Sequence, residues 1–371
     1  MYSLSWNGMV GPTQSSIKLY RSVIFKETSR DYGQGATEHY PEELTNDVLD
    51  AQTSFVLGRH LFTLGGELRR EDLESTTLIS GQDEATHLAI FIQDEIEFFD
   101  KLRITLGGRL DHHDKFGSEF SPRIYGLYQV TEQLKLKAGY GQAFNAPTLK
   151  QVSEGYHAAF GPHTFLGNPD VGPETSDNYE LGLEYVNRTF QAKFFCFYND
   201  IDDMIDWKEV DRTFGPRPRV TYKAENLEKV RTRGVEAEIG VRLDSGLALS
   251  TNYTYLDAID LEENERLTGK PRHTLNARLS YTLSKFGLTA TLHYQFIGDQ
   301  VLWGGTRRNP VLEDVPDYSL WHFVLRKKVF DNFEIKAGVD NIGDVRLADK
   351  SDLFAYEERG RFFHACVTAK F

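Results

Sequence analysis

FNAPTLKQVSEGYHAAFGPHTFLGNPDVGPETSDNYELGLE, residues 144–184, is the stretch that decides the fold. Phe144-Asn145-Ala146-Pro147 closes one extended segment, and Tyr179 to Glu184 lie in the next. Between them runs a polar and aromatic excursion that returns through Gly167-Asn168-Pro169-Asp170 and Pro173-Glu174. Proline has no amide hydrogen, so Pro147 and Pro173 mark strand limits rather than strand interiors. The returning segment alternates, with Tyr179, Leu181, Leu183 and Tyr185 on one face and Asn178, Glu180, Gly182 and Glu184 on the other. A period of two is the mark of a strand with one apolar and one polar face.

The same beat runs outward in both directions. Strand-like segments fall at 2–10, 15–29, 47–58, 61–74, 86–98, 102–115, 119–130, 133–146, 175–187, 190–206, 219–243, 247–260, 271–284, 287–302, 316–329, 332–345 and 359–371, about 17 in all. The clearest is 287–297, where Leu288, Ala290, Leu292, Tyr294 and Phe296 oppose Thr289, Thr291, His293 and Gln295. A single helical turn is expected around Thr148–Ser153. Short connections at 11–14, 58–60, 99–101, 131–133, 187–189, 244–246, 284–286 and 330–332 alternate with long ones at 30–46, 75–85, 148–174, 207–218, 261–270, 303–315 and 346–358. Transmembrane β-barrels have short turns at one end and long loops at the other, whereas a soluble sandwich has no reason to segregate them. The segments are long for soluble strands. Their wet faces carry Glu, Lys, Gln and Arg, too bulky and charged for a packed interior. The sequence therefore predicts an all-β, antiparallel transmembrane β-barrel whose apolar face meets lipid.

Composition narrows the function. A formal charge of -13 argues against nucleic acid as a partner. Aromatic residues at 13%, with 18 Tyr and 25 Phe, suit strands and interfacial girdles. No run of about 18 apolar residues is present to form a transmembrane helix. The opening Met1-Tyr2-Ser3-Leu4-Ser5-Trp6 has neither the basic start nor the apolar core of a secretory signal. Cys196 and Cys366 define no disulfide framework.

No catalytic constellation emerges: the sequence lacks a G-x-S-x-G elbow, a P-loop and an H-E-x-x-H pair, so it does not read as an enzyme. His112-His113 are adjacent on a strand and point to opposite faces, so they cannot readily share a metal. The acidic run Asp200 to Asp206 lacks the glycine and spacing of a calcium loop and reads as a solvated strand end. No metal site is expected.

Taken in order, several motifs resemble the TonB-dependent outer-membrane receptors. They are the Phe144–Pro147 box, Gly167-Asn168-Pro169-Asp170, Pro173-Glu174-Thr175-Ser176-Asp177-Asn178-Tyr179-Glu180, Arg233-Gly234-Val235-Glu236, Asp340-Asn341-Ile342-Gly343-Asp344, and Gly360-Arg361-Phe362-Phe363. Ser121-Pro122-Arg123 also fits, and the flavour is nearest the catecholate-siderophore and colicin I receptor branch. The resemblance implies that residues 1–371 are one barrel domain of a receptor with roughly 22 strands, shortened on its N-terminal side and without the plug. Phe144, Ala146, Pro147, Asn168, Pro169, Asp170, Pro173, Glu174 and the terminal Phe371 are then structural motif residues.

By the same resemblance the function is uptake of a ferric siderophore across the outer membrane of a Gram-negative bacterium. The energy comes through the TonB-ExbB-ExbD complex acting on a plug that this chain is expected to lack. A porin-like, non-transporting barrel remnant is the alternative. Other implied partners are outer-membrane lipid, lipopolysaccharide, the barrel assembly machinery, and colicins or phages. No covalent cofactor is implied; the iron complex is cargo. Bulky anionic catecholates call for cations and aromatic faces. The candidates are Trp207, Arg212, Phe214, Arg217 and Arg219 in one excursion and Trp303, Arg307 and Arg308 in another. Tyr156, Phe160 and Phe165 in the 148–174 excursion would serve equally. His157 and His163 in that excursion leave open a haem receptor, in which an imidazole ligates the iron.

Overall fold

The computed structural model describes residues 1–31, 37–160, 163–213, 219–227, 229–306, 309–330, 332–354 and 358–369. Strands β1 (Tyr2–Val10), β2 (Thr13–Asp31), β3 (Thr37–Leu57), β4 (His60–Ser75), β5 (Gln82–Phe98), β6 (Leu102–His113), β7 (Gly117–Gln129) and β8 (Leu134–Asn145) come first. A short helix α1 (Leu149–Val152) and two small strands, β9 (His157–Phe160) and β10 (His163–Leu166), occupy the long excursion. Then follow β11 (Glu174–Val186), β12 (Phe190–Asp202), β13 (Met204–Thr213), β14 (Arg219–Leu227), β15 (Val230–Arg242), β16 (Leu247–Asp260) and β17 (Glu265–Arg266). The chain closes with β18 (His273–Leu283), β19 (Leu288–Gly298), β20 (Gln300–Thr306), β21 (Asn309–Val315), β22 (Tyr318–Phe330), β23 (Phe333–Asp340) and β24 (Phe362–Ala369). Among the described residues, one sheet holds 18 strands, a second holds β9, β10, β13 and β14, and a third is the hairpin β20–β21. The all-β, antiparallel class expected from the alternation is the class observed; the β10–β14 pair is parallel.

Two compact units divide the chain. Unit 1 comprises Met1–Gly126, Gly139–Asn178 and Asp200–Lys229. Its first six strands form successive antiparallel hairpins. Their register aligns Leu19, Leu49, Leu68 and Leu88 in one cross-strand row. These leucines are 52%, 42%, 46% and 49% exposed. Such a contiguous greasy band is foreign to a water-facing surface and fits lipid, as predicted. One pleat further along, the row becomes Arg21, Asp47 and Arg70, and the Arg21–Asp47 pair closes at 2.6 Å. The change from leucine to ion pair marks where the apolar band ends.

Unit 2 comprises Leu127–Ala138, Tyr179–Asn199 and Val230–Phe371. Here β15, β16, β18, β19, β22, β23 and β24 are joined in series. Leu279, Tyr281, Trp321, Leu325, Ile335 and Val367 project from one face, and Arg278, His293 and Lys336 occupy alternate positions. Gly234 in β15 is fixed by close approach: a Cβ there would lie 2.0 Å from the Tyr255 carbonyl oxygen and 2.8 Å from the Phe197 ring.

Two sequence expectations need correction. First, 148–174, 207–218 and 303–315 are not plain loops, because each contributes strands to a small sheet. Second, 190–206, 219–243 and 287–302 are each two strands rather than one. Asp203 and Asp299 cause two of these breaks. They sit in the left-handed region, at φ +59 and +53, and turn the chain out of the large sheet. Excursion 30–46 is also mostly strand, since β2 and β3 run on to Asp31 and back from Thr37.

Candidate functional site

The excursion after β8 folds onto unit 1 as a small platform. Thr148 starts α1, and the Gln151 carboxamide oxygen accepts hydrogen bonds from its backbone N–H and hydroxyl at 2.8 and 2.9 Å. This is the helical turn the sequence predicted. Pro147, Leu149 and Val152 are buried beneath it. Lys150 reaches back to Glu42 at 2.6 Å, and the Ser153 hydroxyl donates to Asp83. The chain then zips against the turn after β4, where Ile79 donates to the Gly155 carbonyl at 2.9 Å and His157 to Thr77 at 2.8 Å.

The Gly167–Asp170 motif is a clasp. A Cβ on Gly167 would lie 2.0 Å from the Ser153 carbonyl oxygen, so only glycine fits. The buried Asn168 amide donates to the Ala224 carbonyl at 3.0 Å, and its oxygen accepts from the Asp170 N–H at 3.2 Å. Pro169 and Asp170 are exposed on the turn. Asn226 clasps from the other side, donating to the Gly172 and Asp203 carbonyls and accepting from the Gly172 N–H. Just past Pro173, Glu174 accepts from the Ile205 N–H at 2.7 Å and the Asn145 amide at 3.1 Å, which gives Asn145 its role. Asn168, Asn226 and Glu174 thus each satisfy backbone groups that would otherwise be stranded.

Underneath lies an apolar core of Leu73, Leu78, Ala85, Leu149, Tyr156 and Ala158, joined by Leu44, Phe165 and Trp207. Phe165 meets Trp207 edge-on at 5.3 Å and stacks on Tyr222 at 5.3 Å. Three predicted ligand-facing aromatics, Tyr156, Phe165 and Trp207, are therefore brought together as platform core. Burial, helped by the charge of Glu42, pushes the Tyr156 hydroxyl above its usual range.

The opposite face of the small sheet is different. Register places Lys208 across from Lys223, Lys223 across from Leu166, and Leu166 across from His157. Like charges directly opposite are unfavourable. Lys208 has a 3.6 Å contact to Glu225, whereas Lys223 has no ionic partner among the described residues. Lys208 and Lys223 escaped the sequence reading because their juxtaposition depends on the pairing of β13 with β14. The alternation of Val220, Tyr222 and Ala224 was the available signal.

His157 is exposed, while His163 lies against Tyr222 with its Nδ1 enclosed and without a hydrogen-bond partner among the described residues. In the hairpin His157 pairs with Leu166 and His163 with Phe160. A separation of three residues puts the two imidazoles on opposite faces. Arg212 is held by Glu209. Arg217, Phe214, Arg307, Arg308 and Phe371 lie outside the described residues, as do the side chains of Phe160 and Arg219. His112 and His113 diverge as predicted: His112 bonds Ser118, and buried His113 stacks on Phe116.

In unit 2, Trp303 is 53% exposed on the β20–β21 hairpin. That hairpin springs from an ion network. Buried Asp257 takes Arg233 at 3.1 Å and Arg272 at 3.0 Å; Asp299 takes Arg266 at 2.8 Å and Arg272 at 3.4 Å. Partial burial opposes ionisation of Asp299, but the Arg266 and Arg272 guanidiniums outweigh it and hold the carboxyl below its usual range. The Asp340–Asp344 motif closes β23: buried Asn341 donates to the Val345 and Arg359 carbonyls and accepts from the Val345 N–H. Accepting the Arg361 N–H at 2.7 Å keeps the Asp344 carboxyl low.

The sequence matches the family described as TonB dependent receptor-like, beta-barrel, over residues 2–342. It is 30% identical over 359 residues to the iron-regulated outer membrane virulence protein of Vibrio cholerae, covering 92% of this chain and 54% of that protein. It is 29% identical over 329 residues to the ferric enterobactin receptor of Pseudomonas aeruginosa, covering 79% and 43%. Among solved structures, a ferric enterobactin receptor mutant from Pseudomonas aeruginosa superposes with a TM-score of 0.86 at 24% identity, over 100% of this chain and 61% of that one. The siderophore receptor PirA from Acinetobacter baumannii does so with a TM-score of 0.80 at 21% identity, over 100% and 62%. These two structures speak for the fold. The chain spans about half the length of the sequence relatives it matches.

Proposed function

This chain belongs to the TonB-dependent receptor β-barrel family, and on that footing we propose that it is the barrel part of an energy-coupled importer of ferric catecholate siderophores. It is a multi-pass β-barrel of the Gram-negative outer membrane, related to siderophore receptors rather than to enzymes. In the proposal its loops take the anionic iron complex from outside, and TonB drives its passage.

The observation that supports this reading is the opposed pair Lys208–Lys223, in one cross-strand row with Leu166 and His157 on the face of the small sheet turned away from the platform core, in a chain of net charge -13. Two opposed lysines cost stability unless an anion bridges them. Arg212 and Trp303 add, each in its own unit, a planar cation and an aromatic face. The platform core holds the row in place. The haem alternative rests on one imidazole, because His157 and His163 face opposite ways.

The test is fluorescence titration of the folded full chain with a ferric tricatecholate complex and, separately, with haemin. Binding of the catecholate, weakened at least tenfold in Lys208→Gln/Lys223→Gln, is expected. Tight haemin binding with a Soret shift, lost in His157→Ala, together with indifference to the catecholate, would sink the siderophore reading.

A further inference from the structure

The lipid-facing stripe of β5 is interrupted by a carboxylate. That stripe runs Leu88, Ile90, Ile92, Asp94, Ile96 and Phe98, apolar at every position but one. Register sets Asp94 across from Phe62 on one side and from Leu106 on the other. An ionisable side chain on the lipid face of a membrane strand is costly, and one that persists there marks a site with a partner. Asp94 has a first partner on its own sheet: the His60 Nδ1 donates to its Oδ2 at 2.8 Å. Its Oδ1 is enclosed and has no hydrogen-bond partner among the described residues. His60 in turn lies parallel to the Phe62 ring, with ring centres 5.5 Å apart and planes within 5°.

The pair lies at the short-turn end of the strands. Leu57 is paired with His60, so Gly58 and Arg59 alone make the turn. Transmembrane barrels keep such turns at their periplasmic end. Arg59 is exposed there and has no carboxylate partner among the described residues. Glu97, whose N–H donates to the Arg59 carbonyl at 3.0 Å, is taken by Arg103 at 2.6 Å. Leu57, Phe98 and Phe99 are exposed beside the turn, as suits the belt where acyl chains meet headgroups. The chemistry of the pair is directional. With Nδ1–H donating to a carboxylate, the neutral imidazole offers Nε2 as a lone-pair acceptor. The His60 side chain is 41% exposed against 19% for Asp94, so the imidazole is the outward member. Arg59, one residue before it, supplies the opposite charge. A cation next to an acceptor that an anion backs, at the edge of an apolar stripe, is the complement of a zwitterion with apolar tails.

We propose that Arg59, His60 and Asp94 hold the headgroup of an aminophospholipid in the periplasmic leaflet. Arg59 donates to the phosphate, the His60 Nε2 accepts from the ammonium with Asp94 behind it, and the acyl chains lie along the apolar stripe. The site is on the outer wall of the sheet and stands or falls independently of the loop platform and its cargo.

The experiment is native mass spectrometry of the folded full chain in detergent, titrated with dioleoyl phosphatidylethanolamine, phosphatidylcholine and phosphatidylglycerol. The ethanolamine lipid is expected to bind about tenfold more tightly than the other two, because choline has no N–H to donate and glycerol has no positive charge. H60F keeps an aromatic ring on Phe62 and should abolish that preference; D94N should cut it to about threefold, since the charge behind the acceptor is gone. R59Q should weaken the ethanolamine and choline lipids alike and leave their ratio unchanged, and R59K should restore most of the binding. K208Q should change nothing. Heat-modifiable gel mobility checks that every variant is folded. Equal binding of the three lipids, a preference for the glycerol lipid, or an ethanolamine preference that survives intact in folded H60F and D94N overturns the proposal. So does a lipid-independent dimer that D94N dissolves, which would make Asp94 a contact between two copies of the chain.

Discussion

Two excursions leave the large sheet by the same backbone move and are then held by different chemistry. Just past the end of β12 the chain turns at Asp203, in unit 1, and just past β19 it turns at Asp299, in unit 2, both in the left-handed region. Beyond Asp203 the platform is held by neutral amide clasps, Asn168 and Asn226, and by the buried Val152, Val171 and Ala224. Beyond Asp299 the hairpin is anchored by the chain of ions from Asp257 through Arg272 to Asp299 and Arg266. Amide clasps are directional and do not titrate. Ion pairs weaken with salt and with acid. The first arrangement keeps one geometry across conditions; the second has a geometry that the solvent can loosen.

The largest break in this comparison should come from Gly167→Ala. Its Cβ would strike the Ser153 carbonyl oxygen, a backbone atom that cannot swing aside, so the clasp opens at a cost of about 3 kcal/mol, the upper range for overpacking. Hydrogen exchange across 148–174 should accelerate while β20–β21 keeps its protection. Asn168→Ala should act alike but more weakly, at about 2 kcal/mol, because it strands the Ala224 carbonyl and the Asp170 N–H. Protection lost equally in both excursions would mean that the clasps hold more than the platform.

Asp257→Asn tests the other side. It keeps the shape but removes the charge that Arg233 and Arg272 share, and should cost roughly 1–2 kcal/mol, less in high salt. Acid should act in the same direction. The Asp299 carboxyl is held low, so the stability it contributes is complete above the unfolded value of about 4 and is lost as pH falls through the lower folded value. Exchange at β20–β21 should therefore quicken, relative to a peptide reference, as pH falls below about 4, while amides held by Asn168 and Asn226 should not follow. Parallel loosening in both excursions would erase the contrast.

The large-sheet strands were legible because each is long enough to repeat its pattern. Leu288 to Phe296 shows a full alternation, and β19 begins at Leu288, one residue inside the expected 287. The helical turn at Thr148 was legible from local chemistry alone. What escaped was non-local. β9 and β10 have four residues each, too few for a period, and β10 pairs with β14, whose partnering no local pattern encodes. Asp203 is one of four aspartates in an acidic run and Asp299 a lone one in an apolar run, and in either setting a turn residue looks like a solvated strand position. Tyr156, Phe165 and Trp207 read as ligand aromatics because they lie in an excursion, and only the packing of that excursion makes them core.

The smallest expected effect sharpens the comparison most. On the exposed face of the platform, Lys208 and Lys223 oppose each other, and Lys208 is only loosely offset by Glu225. Removing one charge by Lys223→Gln should leave fold stability unchanged or raise it by about 0.2–0.5 kcal/mol, since a like-charge cross-strand pair is relieved. The same substitution should weaken binding of a ferric catecholate. A residue whose loss stabilises the protein and harms binding is kept for its ligand, whereas a residue of the amide clasps should lose both together. Chemical denaturation and ligand titration on one preparation separate the two. If Lys223→Gln destabilises the platform instead, the row is structural, and the anion reading of that face falls with it.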